Sequence, residues 1–347
     1  MKRFFALMLA LVMTLSLVAC GSKTEGSTND GETTTTEDNP LGLTEKVTIS
    51  YSHVQSTTSA THRAMEDFGA YLAEKSNGWV TLEIFPAGQL YNDSTEIDAI
   101  VGGNIDMVST YMSKLTSVDT AMQYCLAPYL FDNVEEMEGF YTSEYAQPLY
   151  EKINALGLKV VNVMFGGEQY FMSNGDSIKT IDGFQGKKVR EGGGEMTKAL
   201  YGALGASVTT VSFNELYTAM QTKLVDIAVT SIDSAVSIQL QEVLKSVAAY
   251  KIQYAPYLIM FNQKTWDSYP EALQQVIADG LELARQKQLE YTNEGCAAAI
   301  ETVKASCEFY EASDEEIAEL KAVWQPIVEQ YVDSAWIEAV AAYRAAN

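Results

Sequence analysis

Hydrophobic and polar residues change their spacing several times along residues 47–110, and each change marks a new element. Residues 47–50 have the composition of a β-strand. Apolar positions between Ala64 and Leu72 then recur every three or four residues, which is typical of one buried helix face. Residues 79–85 alternate with a period of two, which predicts a second strand.

A second helix and a third strand follow in the same order. Asp93 and Glu96 have the spacing of a capping box and predict a helix with Ile97, Ile100 and Val101 facing inward. Residues 105–110, IDMVST, read as a buried strand. The resulting β-α-β-α-β order is typical of an open α/β sheet that is rich in parallel strands.

The middle of the chain repeats this order. The predicted elements are a strand, a helix, a strand and a helix with a capping box at Ser212 and Glu215, over residues 187–190, 195–204, 208–210 and 212–220. Residues 225–230, VDIAVT, then match IDMVST position by position. We interpret this match as symmetry between two lobes. Because open sheets bind ligands beyond the carboxyl ends of their strands, Thr110 and Thr230 are predicted to face each other across a cleft.

The last third of the chain has helical periodicity throughout. One pattern begins at Pro270 and runs to about residue 306, and a second begins at Asp314 and runs to about residue 344. Both patterns are rich in alanine and glutamate with apolar stripes. They predict helices that brace the two lobes.

The first 44 residues are predicted to lie outside the fold. Lys2 and Arg3 precede an apolar stretch that is too short to span a membrane, and small residues lead to Cys20. This pattern predicts a lipoprotein signal over residues 1–19 with lipid on Cys20; the alternative is an ordinary secretory signal. Residues 20–44 are polar and predict a disordered tether, so the protein is expected to be lipid-anchored on the outer face of the cell membrane.

Charge and motif content narrow the function further. The formal net charge is −23, which argues against nucleic acid and anionic lipid as partners. There are two histidines and no zinc-type spacing, so no metal and no cofactor are predicted. The chain has no GxSxG or P-loop motif, and we predict that it is not an enzyme. Cys125 is expected in the core, and Cys296 and Cys307 are too far apart on one helix to form a disulfide.

Arg190 is the most conspicuous cation in this acidic chain. It ends a predicted strand and is followed by Gly192–Gly194 and by a helix that begins at Glu195. An arginine, exposed backbone N–H groups and a helix N-terminus together form an anion site. The alternative is a loop of glycines with a surface arginine.

Three segments resemble the solute receptors of TRAP transporters, the DctP-type periplasmic binding proteins. They are NGDSIKTIDGFQGKKVR, LGASVTTVSFNELYTAMQTKLVD and YAPYLIMFNQKTWDSYP, at residues 174–190, 204–226 and 254–270. Weaker similarity covers residues 50–139. The resemblance implies a two-lobed, type II-like α/β fold with a ligand cleft between the lobes. Residues 45–165 would form mainly the first lobe, residues 166–260 mainly the second, and residues 261–347 helices that brace both, including one long helix that spans them.

The resemblance also implies a function. The protein would capture a small organic acid, such as a sugar acid, and deliver it to the membrane subunits of a sodium-coupled TRAP transporter. An alternative is a binding protein that serves a signalling receptor or an ABC importer, and a third is a surface adhesin. The protein is expected to be a monomer.

The resemblance assigns site residues one by one. Arg190 matches the arginine that clamps a ligand carboxylate, although it could instead pair with Glu191 or Asp226. Phe213 matches an aromatic residue that packs on the ligand; the alternative is a core residue. In the first lobe, Tyr51, His53, Asp93 and Tyr111 would face the cleft, with His53 as a contact or a structural histidine.

Two positions depart from the family pattern. Glu168 stands where many members carry a second arginine, and Thr230 stands where many carry an asparagine. Glu168 could accept hydrogen bonds from ligand hydroxyls, pair with a ligand ammonium, or pair with Arg190. A site with one arginine and a nearby glutamate does not favour a dicarboxylate.

Overall fold

The computed structural model describes residues 39–191 and 194–347. Its strands are β1 Val47–His53, β2 Val80–Phe85, β3 Met107–Tyr111, β4 Leu158–Ser173, β5 Lys188–Arg190, β6 Ser207–Thr209, β7 Ile227–Ser231, β8 Ser246–Ala249, β9 Tyr254–Asn262 and β10 Glu308–Glu311. Its α-helices are α1 Ala60–Lys75, α2 Glu96–Val101, α3 Val134–Thr142, α4 Gln147–Asn154, α5 Glu195–Ala203, α6 Leu216–Gln221, α7 Ile232–Ser237, α8 Gln263–Ser268, α9 Glu271–Ser306, α10 Asp314–Tyr331 and α11 Ser334–Ala346.

The strands form two lobes that share one strand. In the first lobe, β1 pairs in parallel with β2 and β3, and β9 joins β3 to β4 through antiparallel ladders. In the second lobe, the end of β4 pairs with β7 and β8, and β5 lies in parallel between β7 and β6. The strand order is therefore β2-β1-β3-β9-β4-β7-β5-β6.

The shared strand β4 is 16 residues long and changes partners along its length. Residues up to and including Glu168 pair with β9, and residues 169–173 pair with β7. Its ladder with β9 has a register shift between Gly166 and Glu168, where the chain passes from one lobe to the other. The predicted boundary between residues 165 and 166 lies inside this strand.

The long helix α9 packs against both lobes, because it contacts α1, β4 and α7. Its approach to α1 depends on Gly280: a Cβ atom there would lie 2.6 Å from Tyr71 Cδ1 and 3.0 Å from the Phe68 ring. At Gly167 of β4, an added Cβ atom would lie 2.7 Å from the Cys296 sulfur. The predicted two-lobed α/β fold with a long lobe-spanning helix is thus confirmed.

Several local predictions were wrong in detail. Val101 is exposed instead of inward, and neither capping box forms, since the Asp93 and Ser212 side chains make no cap hydrogen bond. The single helix expected from Asp314 is two helices, because Asp333 accepts a hydrogen bond from Ala335 and starts α11.

The predicted signal and Cys20 lie outside the described residues, as does the tether up to residue 38. Within residues 39–191 and 194–347, no helix is long and apolar enough to cross a membrane. In the same ranges Cys125 is buried, and Cys125, Cys296 and Cys307 form no disulfide.

Candidate functional site

A small polar cavity of about 40 Å³ lies between the two lobes. Residues from both lobes and from the strands that join them line it: Val54, Gln55, Asp93, Glu96, Tyr111, Lys114, Gln169, Arg190, Glu191, Phe213, Val229, Thr230 and Tyr257. An open groove of about 530 Å³ adjoins the cavity and shares Asp93 and Lys114 with it. The cavity itself has room for only a few water molecules, and contacts such as the hydrogen bond from Asn214 Nδ2 to the Ala87 carbonyl oxygen join the two lobes beside it.

Arg190 is the cation that the second lobe presents to this cavity. It is the last residue of β5, where a parallel strand places its carboxyl end at the cleft. The side chain is 5% exposed, and its Nε donates a hydrogen bond to the Val211 carbonyl oxygen at 3.0 Å. Burial lowers the pKa of Arg190, while nearby Asp93 and Glu191 act in the opposite direction.

Asp93 joins the two lobes electrostatically. Its Oδ2 lies 3.0 Å from Lys114 Nζ in its own lobe and 4.0 Å from Arg190 Nη2 in the other. The same oxygen accepts a hydrogen bond from the Phe213 backbone N–H at 3.4 Å. Asp93 is 5% exposed, so these charges interact with little screening by solvent.

One wall of the cavity consists of amide and phenol side chains, those of Gln55, Gln169, Tyr111 and Tyr257. Gln169 Nε2 donates to the Tyr111 hydroxyl at 3.4 Å, and Gln253 Nε2 donates to Gln169 Oε1 at 2.8 Å. Gln55 Nε2 donates to the Tyr257 hydroxyl at 3.0 Å. Tyr111 and Tyr257 lie with ring centroids 5.5 Å apart. This wall offers both hydrogen-bond donors and acceptors next to Arg190.

Glu96 is a fully buried carboxyl group on the first-lobe side of the cavity. Burial raises the pKa of Glu96 to about 8; the Thr110 hydroxyl and Lys114 lower it, and Asp93 raises it. The group is therefore mainly protonated at neutral pH. Among the described residues, neither of its side-chain oxygens has a hydrogen-bond partner in good geometry, and the adjacent Thr110 hydroxyl has none either.

Four of the six predicted ligand-binding residues line the cavity. They are Arg190, Phe213, Thr230 and Tyr111, and Asp93 lies with them. The proposed ion pair of Arg190 with Asp226 does not form, because an Asp226 carboxylate oxygen accepts a hydrogen bond from the Lys188 backbone N–H. Asp93 takes that place as the nearest acidic partner across the cleft.

His53 does not line this cavity. It is buried in the first lobe, where its Nε2 lies 3.1 Å from His62 Nδ1 and its ring lies beside Tyr51. Burial, together with His62, lowers the pKa of His53 to about 3, so the imidazole is neutral. This environment is that of a structural histidine, which was the alternative interpretation.

Glu168 also lies outside the residues that line the cavity. Successive side chains of a strand point to opposite faces, and in β4 it is Gln169 that faces Tyr111. Burial raises the pKa of Glu168, whereas Lys251 and a hydrogen bond from Tyr170 lower it. The cation that acts on the Glu168 carboxyl group is thus Lys251 and not Arg190.

Thr110 and Thr230 do not face each other across the cleft. Thr230 lines the cavity, but Thr110 alternates with cavity-lining Tyr111 on β3 and lies near Glu96 instead. The predicted glycine-rich anion loop falls on Gly192 and Gly193, which lie outside the described residues. Gly194, the N-cap of α5, has a φ of 109° that favours glycine.

Sequence reasoning missed Gln55, Glu96, Lys114 and Gln169 as cavity residues. Strand alternation in β4 could have distinguished Gln169 from Glu168 if the register had been known. For Glu96, the signal was an acid in the first turn of a short helix, which is common in ordinary caps. In the described ranges, no group of three or more His, Cys, Asp or Glu residues could hold a metal ion.

Comparison with known families gives an independent result. The sequence profile of the family described as bacterial extracellular solute-binding protein, family 7 (DctP), matches residues 51–334. The C4-dicarboxylate-binding periplasmic protein DctP of Rhodobacter capsulatus is 26% identical over 312 residues, which cover 88% of this chain and 92% of the relative.

Two solved structures are similar to this chain in fold. The sugar acid binding protein DctPAm of Advenella mimigardefordensis, in complex with galactonate, has a TM-score of 0.84 at 21% identity and covers 87% of this chain and 99% of its own. A TRAP periplasmic solute binding protein of Sulfurospirillum deleyianum with bound succinate has a TM-score of 0.81 at 23% identity, covering 87% of this chain and 100% of its own.

Proposed function

Since the chain belongs to the DctP family of bacterial extracellular solute-binding proteins, as its sequence motifs predicted, we propose that it delivers a small organic acid to a TRAP-type secondary transporter. The ligand would be captured between the two lobes. Its transporter partners would be the membrane subunits of that system. The fold, with a cleft between lobes that share a strand, suits a receptor that closes on a small solute.

Arg190 carries this proposal. A buried guanidinium needs a compensating anion, and Asp93 approaches it only to 4.0 Å while also pairing with Lys114. The hydrogen bond from Nε to the Val211 carbonyl oxygen fixes the orientation of the guanidinium. A ligand carboxylate can then accept two hydrogen bonds from the Nη atoms, at a shorter distance than Asp93. Phe213, Thr230 and Tyr111 would contact the rest of the ligand.

The polar wall favours a hydroxylated acid over a dicarboxylate. Asp93, Glu96 and Glu191 line the cavity beside Arg190 and Lys114, so a second ligand carboxylate would meet acidic groups. Gln55, Gln169 and Tyr257 offer partners to hydroxyl groups instead. Relatives of the same fold bind galactonate and succinate, which are the two ligand types to be distinguished here.

A thermal-shift screen tests this proposal. The panel contains galactonate, glucuronate, gluconate, succinate, pyruvate and glutamate, each at up to 10 mM. A ligand at 100 times its dissociation constant stabilises the folded state by about 2.7 kcal/mol, which shifts the melting temperature measurably. We expect sugar acids to stabilise the protein and succinate to do so less. If no acid of the panel binds, the proposed ligand class is wrong.

Attachment to the membrane is a separate part of the proposal. We propose that the signal ends at residue 19, that Cys20 carries lipid and that the folded part is held outside the cytoplasm by the tether. Cys20→Ser is expected to release the protein from membranes or to leave it unprocessed. A variant that fractionates and migrates like the wild type would contradict lipid anchoring.

A further inference from the structure

Glu96 is the one acidic residue lining the cavity whose carboxyl group, within the described residues, forms no ion pair and no hydrogen bond of good geometry. The neighbouring Thr110 hydroxyl acts on this carboxyl group, but it too lacks a hydrogen-bond partner of good geometry. Glu96 is 0% exposed, so water does not compensate the missing partners. A buried polar group without a partner destabilises the folded state. Such a group beside a ligand cavity indicates a contact that forms when the ligand is bound.

The groups around Glu96 decide its protonation state. Asp93, in the loop before α2, and Lys114, after β3, form an ion pair with each other, and Tyr51 of β1 is a buried neutral phenol. Across the cavity lie Arg190 and Glu191 of the second lobe. With Glu96 neutral, the formal charges of Lys114 and Arg190 balance those of Asp93 and Glu191.

A bound carboxylate makes the neutral form of Glu96 more stable. The incoming negative charge pairs with Arg190, and an ionised Glu96 would then add an uncompensated charge to a closed, desolvated cleft. A protonated carboxyl group has one O–H donor and retains acceptor capacity at its other oxygen. That combination matches a ligand hydroxyl group, which also donates once and accepts.

We propose that Glu96 binds the ligand as a neutral carboxylic acid, hydrogen-bonded to a hydroxyl group of a polyhydroxy monocarboxylate whose carboxylate lies on Arg190. This inference rests on the proposed function and assigns the ligand class and a specificity-determining residue to the same site. It makes ligand binding depend on pH on the alkaline side. Affinity falls as Glu96 ionises in the free protein, because the ionised form must recover a proton before it binds.

The size of this effect follows from the raised pKa of Glu96. Affinity should fall about tenfold per pH unit above about 8, which is roughly 30-fold between pH 7 and pH 9.5. Glu96→Gln keeps a donor and an acceptor but cannot ionise. It should bind within threefold of wild type at pH 7 and lose the 30-fold alkaline decrease.

Calorimetric titration tests this with the tightest-binding acid of the panel, at half-unit steps from pH 6 to pH 9.5. Wild type is compared with Glu96→Gln, with Glu96→Leu, which should bind at least tenfold more weakly than wild type at pH 7 and show no alkaline decrease, and with Asp98→Asn. Asp98 is an exposed acid of the same helix and serves as the matched control, with a wild-type profile expected.

Each outcome decides the proposal. If wild type and Glu96→Gln show the same pH profile, Glu96 does not bind as the neutral acid. If Glu96→Gln binds more than 30-fold more weakly and wild-type affinity rises with pH, Glu96 binds a ligand cation and the proposal is overturned. If no acid of the panel binds, the proposed function fails and the ligand contact fails with it. Normal binding by an acid of the panel with a flat pH profile rejects the role of Glu96 alone.

Discussion

Arg190 Nη2 and Asp93 Oδ2 lie 4.0 Å apart, on opposite sides of the cleft. The distance permits an ion pair but is too long for a hydrogen bond. Asp93 therefore compensates part of the buried positive charge without accepting hydrogen bonds from the Nη atoms of the guanidinium. A ligand carboxylate can pair with Arg190 at a shorter distance while Asp93 keeps its contact with Lys114.

Arg190→Ala should weaken binding of the identified acid by roughly 30- to 4,000-fold, because a desolvated carboxylate loses its partner at a cost of about 2–5 kcal/mol. Arg190→Lys should recover only part of this loss. The lysine ammonium lacks the planar geometry with which a guanidinium donates to the Val211 carbonyl oxygen and forms two parallel hydrogen bonds to a carboxylate. Calorimetry measures both, with exposed Lys198→Ala as the control. Arg190→Ala binding within threefold of wild type would exclude the carboxylate clamp.

Glu168→Gln and Gln169→Leu form a matched pair of neighbouring substitutions. Glu168 lies outside the cavity, so Glu168→Gln should change ligand affinity less than twofold. Gln169 lines the cavity beside Tyr111, and Gln169→Leu should lower affinity about tenfold through the loss of a polar contact. The same calorimetric assay applies. The opposite ranking would mean that β4 presents its other face to the ligand.

Asn214→Ala should shift the ligand-free protein towards an open form. Asn214 Nδ2 donates hydrogen bonds across the cleft to the Ala87 carbonyl oxygen at 2.9 Å and to the Val54 carbonyl oxygen at 3.4 Å. Small-angle scattering should show a larger radius of gyration for this variant without ligand, and compaction when ligand is added. The exposed residue Gln221 provides the control, as Gln221→Ala. An unchanged radius would show that these bonds do not hold the lobes together.

Glu96→Gln should stabilise the folded protein increasingly as pH rises. The folded-state pKa of about 8 lies above the ordinary value for glutamate, so the folded chain binds more protons than the unfolded chain between these values. Wild-type stability is thus lost as pH rises from about 4.5 to about 8, and glutamine removes this loss. We expect on the order of 3 kcal/mol at pH 7 and above, measured by urea unfolding. Parallel pH curves for the two proteins would contradict the raised pKa.

Gly280→Ala should destabilise the protein although alanine is about 1 kcal/mol better than glycine inside a helix. The new Cβ would lie 2.6 Å from Tyr71 and 3.0 Å from Phe68, and overpacking of this kind costs about 1–3 kcal/mol. Gly295→Ala on the same helix is the control, since its Cβ would meet Asp233 at an ordinary 3.7 Å. In thermal unfolding, the melting temperature of Gly280→Ala should lie below that of wild type, and the melting temperature of Gly295→Ala should lie above it. Equal stabilisation by both would mean that α1 and α9 are not in close contact.

Local patterns predicted most of the elements because burial leaves a period in the sequence. The helix that buries Phe68 and Leu72, the strand that ends at Arg190 and the long helix after Pro270 all appear close to their predicted positions. The exposure of Val101 and the start of α11 at Asp333 depend on tertiary packing and on one cap. Neither leaves a periodic signal.

The site was predictable where a family motif or a strand end marked it, as for Arg190, Phe213 and Tyr111. It was not predictable where the answer depended on which face of a strand meets the cleft. Glu168 and Gln169 differ by one position, and only the pairing of β4 with its neighbours decides between them. His53 was placed at the cleft by family position, but its contact with His62 places it in the core.

The passage of β4 through both lobes has an evolutionary consequence. One residue inserted near Gly167 would turn residues 168–173 to the opposite face of the sheet, moving Gln169 away from the cavity and Phe171 out of the core. The same insertion would disturb pairing with β7 and β8 together. Changes of chain length should therefore be rare in this strand among descendants of the protein, and new solute preferences should arise there by substitution.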